Sequence, residues 1–184
     1  MSNRFESVPL RARARIDTPA GAMTALATAD GLAALVFDSD RHHPGPFDHV
    51  ALDDQHRHVR AARDWLAAYW RGEDPSPSAP ALDLHGTPFQ RAVWQVLLRI
   101  PAGHTRTYGE VAREIGSRAA PRATGAAIGR NPVAVLVPCH RVIGAGGSLT
   151  GYAAGLALKQ LLLQHEGVLP AGPATPAGRK PRQP

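Results

Sequence analysis

Residues 87–116 read TPFQRAVWQVLLRIPAGHTRTYGEVAREIG, and they carry the same helix-starting device twice. Thr87 stands where an N-cap is expected, with Pro88 at the first helical position and Gln90 at the third, so that hydroxyl and amide can satisfy each other's backbone donors. Phe89, Val93, Trp94, Val96 and Leu97 then recur at helical spacing until Pro101 forbids continuation. Further on, Thr107 and Glu110 repeat the box ahead of Val111 and Ile115. A short turn over Gly116–Ala120 leads into PRATGAAIGR, a further helix with Pro121 at its first position. Two short helices joined by a tight turn predict a helix-turn-helix, although any packed helical hairpin has the same spacing.

Upstream of this block the period falls from 3.6 to 2. PLRARAR (9–15) alternates basic and small residues, and AMTALATADGLAALVFD (22–38) reads as two strands around a turn at Ala29–Gly31, so a three-stranded antiparallel meander is expected. QHRHVRAARDWLAAYWRG (55–72) sets Val59, Ala62, Leu66 and Tyr69/Trp70 at helical spacing and stops at Gly72. The proline-rich EDPSPSAPALDLHG reads as a linker. A last helix is expected over Gly155–Glu166, ending at Gly167, and the tail PAGPATPAGRKPRQP cannot build a core. The fold class expected is α+β, in four parts: residues 1–76 an α/β domain, 77–86 a linker, 87–169 a mainly helical domain, and 170–184 a basic disordered tail.

The 184 residues allow one or two small domains. No apolar run approaches the ~18 residues needed to span a bilayer, and the start lacks the apolar stretch of a signal peptide. A single cysteine cannot form an internal disulfide, so a reducing, cytoplasmic setting is the default. Multi-cysteine zinc motifs are excluded, and the histidines at 42, 43, 49, 56 and 58 fit no ligand spacing, so no metal is expected. Nothing points to a dimer. The net charge of +6 is unevenly spread: −3 over residues 1–85, +6 over 86–166, and +3 beyond. Positive charge thus gathers in the helical half, where a polyanion such as nucleic acid would be attracted.

The helix of the pair that begins at Pro121 lacks the long polar side chains of a major-groove reader. Its Ala, Thr and Gly residues permit close backbone approach, which suits a minor groove only ~6 Å wide or, equally, a tightly packed helix. Arg122, in the first turn, opposes the helix dipole and so invites a functional explanation.

The chain's one thiol lies in NPVAVLVPCHRVIGAGG (131–147). Pro138 stiffens the approach to Cys139, VAVLV would bury the base of the side chain, and GAGG can come close to a ligand. His140 and Arg141 are available to favour a thiolate, the nucleophilic form. Glu166, an acid in a last helical turn, opposes the dipole and calls for a partner such as His140, as in a nucleophile–base–orienter triad.

The segment NPVAVLVPCHRVIG, followed by GSLTGYAAGLALKQLLLQHEG, resembles the O6-alkylguanine-DNA alkyltransferase family; the likeness is dense from Thr87 to Gly167 and loose before it. The resemblance implies a ribonuclease-H-like N-terminal domain and a C-terminal domain with a helix-turn-helix. It also implies direct damage reversal: stoichiometric, irreversible transfer of the alkyl group from O6-alkylguanine in double-stranded DNA to Cys139, without a cofactor, and leaves O4-alkylthymine open as a second substrate. By the same likeness His140, through a water, takes the thiol proton and Glu166 orients it, while Asn131 braces the turn. Tyr108 would assist nucleotide rotation and protonate the departing guanine. Arg122 would fill the gap in the stack, with Thr124, Gly125, Ala126, Ala127, Arg130 and Arg141 along the DNA. Val142, Tyr152 and Ala153 would contact the flipped base. Monomers clustering on DNA are compatible with this. The alternatives are an alkyltransferase-like protein, which lacks the acceptor cysteine, a DNA-binding regulator, and a cysteine hydrolase, which would regenerate its thiol.

Overall fold

The computed structural model describes residues 5–43, 45–75, 79–116 and 121–170. The period-two segments form an antiparallel meander of β1 (Ala12–Thr18), β2 (Gly21–Ala27) and β3 (Leu32–Phe37), in that order, with Ile16 opposite Met23 and Ala25 opposite Leu35. In β1 Ala12, Ala14 and Ile16 point inward and Arg15 outward, the alternation of a half-covered sheet. Every residue of β3 is buried. Leu35 and Phe37 join the main core, while Ala34 packs with Phe5, Phe47 and Val50. Helix α1 (Arg57–Trp70) lies on the sheet, buries Val59, Ala62, Trp65, Leu66 and Tyr69, and ends just before Gly72, whose φ of +76° only glycine adopts easily.

Both capping boxes form. Thr87 Oγ1 accepts from Gln90 N (3.2 Å) and Gln90 Oε1 from Thr87 N (3.0 Å) at the start of α2 (Pro88–Leu98). Thr107 and Glu110 do the same for α3 (Tyr108–Glu114), each cap contributing about 1 kcal/mol. Two residues ahead of α3, Arg106–Thr107, form β4, which pairs in parallel with β5 (Val142–Ile143). Helix α4 (Pro121–Gly129) packs on α2 and α3, fastened by a hydrogen bond from the buried Trp94 Nε1 to the Ala127 carbonyl (2.9 Å). Helix α5 (Leu156–His165) closes the chain, with Gly155 at its N-cap and Glu166 at its C-cap. The described residues are therefore mixed α/β, with a small three-stranded antiparallel sheet and five α-helices. Four residues of the expected turn, 117–120, and all but the first residue of the tail lie outside the described residues.

The segment read as a linker is tied into the sheet. Leu32 N donates to the Ala81 carbonyl (2.8 Å), Asp83 N to that of Leu32 (3.0 Å), and Thr28 Oγ1 to Asp83 Oδ2 (2.7 Å). Gly31 permits this approach, since a Cβ there would lie 2.8 Å from Asp83 N. Further along, Leu35 N donates to the Pro132 carbonyl (2.9 Å) and Ala134 N to that of Leu35 (2.7 Å). Strand β3 thus holds both the segment entering the helical half and the segment entering Cys139. One apolar core follows, in which Ile16, Phe37 and Leu66 pack with Trp94, Leu97, Ile128 and Val137. Among the described residues no helix is long and apolar enough to cross a membrane.

Candidate active site

Cys139 is reached through two tight reversals. Val135 has a φ of +71°, a conformation that a β-branched residue adopts only under constraint, at about 1–3 kcal/mol, and Leu136 N donates to the Ala134 carbonyl across it (2.9 Å). Next, Cys139 N donates to the Val137 carbonyl across Pro138 (2.8 Å). Asn131 holds the arrangement. Its Oδ1 accepts from Val133 N (3.0 Å), and its Nδ2 donates to the Val137 carbonyl (2.7 Å) and lies 3.1 Å from Cys139 Sγ. The family resemblance implied a bracing part for Asn131; the geometry also puts its amide on the sulfur.

A single 3₁₀ turn, Cys139–Arg141, carries His140 and Arg141 inward. His140 Nε2 donates to Glu166 Oε1 (2.8 Å), and Arg141 grips the same carboxylate with Nε to Oε2 (2.7 Å) and Nη2 to Oε1 (2.8 Å). Its Nη1 donates to the Ile100 carbonyl (2.5 Å). Glu166 also accepts from the Tyr69 hydroxyl (2.9 Å). Burial alone would raise the Glu166 carboxyl, but the hydrogen bonds and charges of His140 and Arg141 outweigh it and hold the group near 2. Burial lowers His140, and the Glu166 carboxylate only partly restores it. His140 is therefore a neutral imidazole at ordinary pH. Its Nε2–H is committed to Glu166, and its buried Nδ1 has no partner among the described residues.

Burial pushes the Cys139 thiol up to about 11, against the opposing pull of the Asn131 hydrogen bond and the Lys159 charge. The expectation that His140 and Arg141 favour a standing thiolate is thus not met: the former is neutral, and the latter is spent on Glu166. Cys139 therefore rests as a thiol, a form that would need a base before it could act as a nucleophile.

Lys159, missed in the sequence reading, is fully buried. Its Nζ donates to the carbonyls of Val142 (2.5 Å) and Thr150 (2.7 Å), and burial brings the ammonium down to about 8. A signal was present: only two lysines occur among 21 basic residues, and this one shares a helix face with Leu162, Leu163 and Glu166. Tyr108, half-buried, donates to the Thr150 and Gly151 carbonyls (3.1 and 3.0 Å), and a Cβ on Gly151 would meet its hydroxyl at 2.9 Å. Burial raises the Tyr108 hydroxyl, and the nearby Cys139 adds to the effect.

Asp40, Asn131, Cys139, Tyr152 and Ala153 line a pocket of about 20 Å³. That is room for roughly one water and no purine. Tyr152 is buried, with a hydroxyl that has no partner among the described residues. Ala153 is half-buried, its carbonyl accepting from Arg41 N (3.3 Å), and Val142 is fully buried, presenting its carbonyl to Lys159. A larger cavity, about 680 Å³, is lined by Trp65, Tyr69, Arg141, His165 and Glu166 among others. It does not reach the sulfur.

Helix α4 presents Arg122, Ala123 and Ala126 to solvent, and Arg130, just past its C-terminal end, is exposed as well, so an arginine stands at each end of a small-residue stripe. Gly125 is half-buried against the Tyr108 ring. Three residues expected along DNA point elsewhere. Thr124 and Ala127 are buried on the face that α4 turns to α2 and α3, and Arg141 is drawn inside by the Glu166 charge and the Ile100 carbonyl.

The family described as "6-O-methylguanine DNA methyltransferase, DNA binding domain" matches residues 88–168. A methylated-DNA–protein-cysteine methyltransferase from Mycobacterium bovis is 43% identical over 160 residues, covering 82% of this chain and 89% of that protein. One from Methanosarcina acetivorans is 55% identical over 108 residues, covering 59% of this chain and 69% of the other. The crystal structure of Mycobacterium tuberculosis OGT in complex with DNA superposes with a TM-score of 0.74 at 41% identity, covering 87% of this chain and 96% of that one.

Proposed function

This chain belongs to the methylated-DNA–protein-cysteine methyltransferases, and on that premise we propose that it reverses O6-alkylguanine damage by taking the alkyl group onto Cys139, once per molecule. The observation that carries the reading is a buried thiol with Asn131 on its sulfur, next in sequence to a neutral imidazole bonded to a carboxylate. A sulfur–carbon bond forms as the carbon–O6 bond breaks. The thiol proton passes through a water to His140 Nδ1, the ring atom that Glu166 leaves open. Lys159 and the Asn131 amide stabilise the charge developing on sulfur. The Tyr108 hydroxyl exchanges its backbone carbonyls for the departing guanine and supplies a proton to it. A thioether is not readily cleaved, so the protein is consumed.

DNA approaches along α3 and α4, which act as a helix-turn-helix in residues 87–169, with residues 1–76 as a ribonuclease-H-like support. The exposed stripe of α4 fits a minor groove, and Arg122 enters the stack vacated by the extruded nucleotide. The extruded base contacts Tyr152, Val142 and Ala153, and since the pocket holds about one water, the segment from Gly144 to Gly155 moves outward to admit it. O4-alkylthymine presents the same exocyclic ether and enters by the same route. No cofactor takes part, and the partner is double-stranded DNA bound by a monomer in the cytoplasm.

Intact-mass measurement after incubation with a duplex containing O6-methylguanine tests this. One methyl on Cys139, complete at one equivalent of lesion, is expected. Tight lesion binding with no change in mass would make the protein a damage-recognition factor and refute the assignment of the thiol.

A further inference from the structure

The carboxylate that orients His140 is held from three directions, and one of them is the N-terminal half of the chain. Tyr69 lies in the last turn of α1, 97 residues from Glu166, and its hydroxyl donates to Oε1 (2.9 Å), the same oxygen that accepts from His140 Nε2 and Arg141 Nη2. The phenol is not a loose contact. Its ring is stacked on Trp65 (centroids 5.5 Å apart, 8° between planes) and lies 4.8 Å from the ring of His165, whose Nε2 donates to the Tyr69 carbonyl (2.7 Å). Tyr69 is 5% exposed, and burial, together with the Glu166 charge, raises its hydroxyl, so it remains a donor at every accessible pH. Sequence periodicity assigned this residue to the core, which is correct for its ring and silent about its oxygen.

We propose that Tyr69 is a positioning residue for alkyl transfer: its hydroxyl shares Glu166 Oε1 with His140 and so limits how tightly the carboxylate holds a proton on that imidazole. A carboxylate oxygen with three donors is a weaker acceptor for each of them than one with two. The groups that face the carboxylate are Tyr69 from α1, His140 and Arg141 from the 3₁₀ turn, and His165 on α5 beside the Tyr69 ring, with the Lys159 charge reaching His140. Of these, Tyr69 is the one contributed by the sheet-bearing half, which gives that half a direct part in the chemistry as well as in packing.

The inference rests on the relay reading of Cys139, His140 and Glu166, and the experiment separates the two. Single-turnover transfer from a duplex containing O6-methylguanine is followed from pH 5 to 9 for the full chain, Tyr69→Phe, Glu166→Gln, and a protein carrying 3-fluorotyrosine at position 69. Phe keeps the stack and removes one donor. The acid limb of its profile is expected to rise by roughly half to one pH unit, the scale of one charge-assisted hydrogen bond shared among several. Transfer then falls about threefold near pH 5.5 and changes less than twofold at pH 8, while duplex affinity is unchanged. The more acidic fluorophenol is a stronger donor and moves the limb the other way, and it stands in for Tyr69→Phe if that variant does not fold. Profiles that coincide with wild type for both substitutions, while Glu166→Gln alters the limb, overturn the role of Tyr69 and leave the relay intact. If Glu166→Gln also leaves the limb in place, the relay itself is wrong.

Discussion

Replacing Glu166 by Gln removes one charge from a site where two buried groups depend on it. The side chain is 2% exposed, and its carboxyl is held near 2 against an ordinary value of 4.5. A folded-state value below the unfolded one means that the ionised form stabilises the fold, fully above the unfolded value and progressively less as pH falls through the folded one. The displacement of about 2.5 units corresponds to about 3 kcal/mol at neutral pH. An independent route gives the same size: removing one partner of a buried ion pair costs roughly 3–5 kcal/mol, because the survivor, here Arg141, stays buried without its counter-charge. The same linkage gives about 2 kcal/mol at pH 3.5, since the carboxyl then protonates readily in the unfolded chain. Urea denaturation of wild type and Glu166→Gln at pH 7.5 and 3.5 measures both values. A difference below about 1 kcal/mol at pH 7.5, or one that does not shrink at pH 3.5, would refute the claim that the four-donor carboxylate is a stabilising charge.

Three further outcomes are expected. Asn131→Ala leaves the buried Val137 carbonyl without its side-chain donor and strips the amide from the sulfur; stability falls by about 1–3 kcal/mol, and the thiol, titrated by its reaction with iodoacetamide against pH, moves further up. An unmoved thiol would place the Asn131 amide elsewhere. Lys159→Met removes the cation whose charge lowers the Cys139 thiol, and the single-turnover rate at pH 7.5 is expected to drop about tenfold, the equivalent of about 1.4 kcal/mol, with duplex affinity retained. A rate within twofold of wild type rules out an electrostatic part for this ammonium. Gly151→Ala forces a side chain to within 2.9 Å of the Tyr108 hydroxyl at a φ of +57°; it should cost about 1–2 kcal/mol in a thermal or urea melt and slow transfer. A variant that melts and reacts like wild type would mean that the Tyr108 contact with this segment is dispensable.

Elements with local causes were legible in the amino-acid sequence. Thr87 with Gln90 and Thr107 with Glu110 start helices through atoms three residues apart, and the structure shows both boxes closed. Alternation in 9–15 marked β1 as half-covered, and the short apolar runs on either side of the Ala29–Gly31 turn marked β2 and β3, which pair as the expected meander. Cys139, His140 and Glu166 could be named as candidates from a short segment and one helix end, and Asn131 from the family resemblance. Tertiary structure decided which groups those candidates face. Whether Arg141 meets DNA or an internal carboxylate depends on the place of Ile100 and Glu166, 41 and 25 residues away. Whether Cys139 rests as thiol or thiolate depends on how deeply it is buried and on the charge of Lys159, which α5 contributes from 20 residues further along. Residues 79–86 looked like a tether because prolines break helices, yet the Ala81 carbonyl and the Asp83 N–H both bond to Leu32 of β3, about 50 residues earlier in the chain. Caps, turns and periodicity are written in neighbouring residues. Burial, charge pairing and the sharing of one carboxylate by Tyr69, His140 and Arg141 arise only when segments separated by up to 97 residues are brought together, and no local pattern encodes that distance.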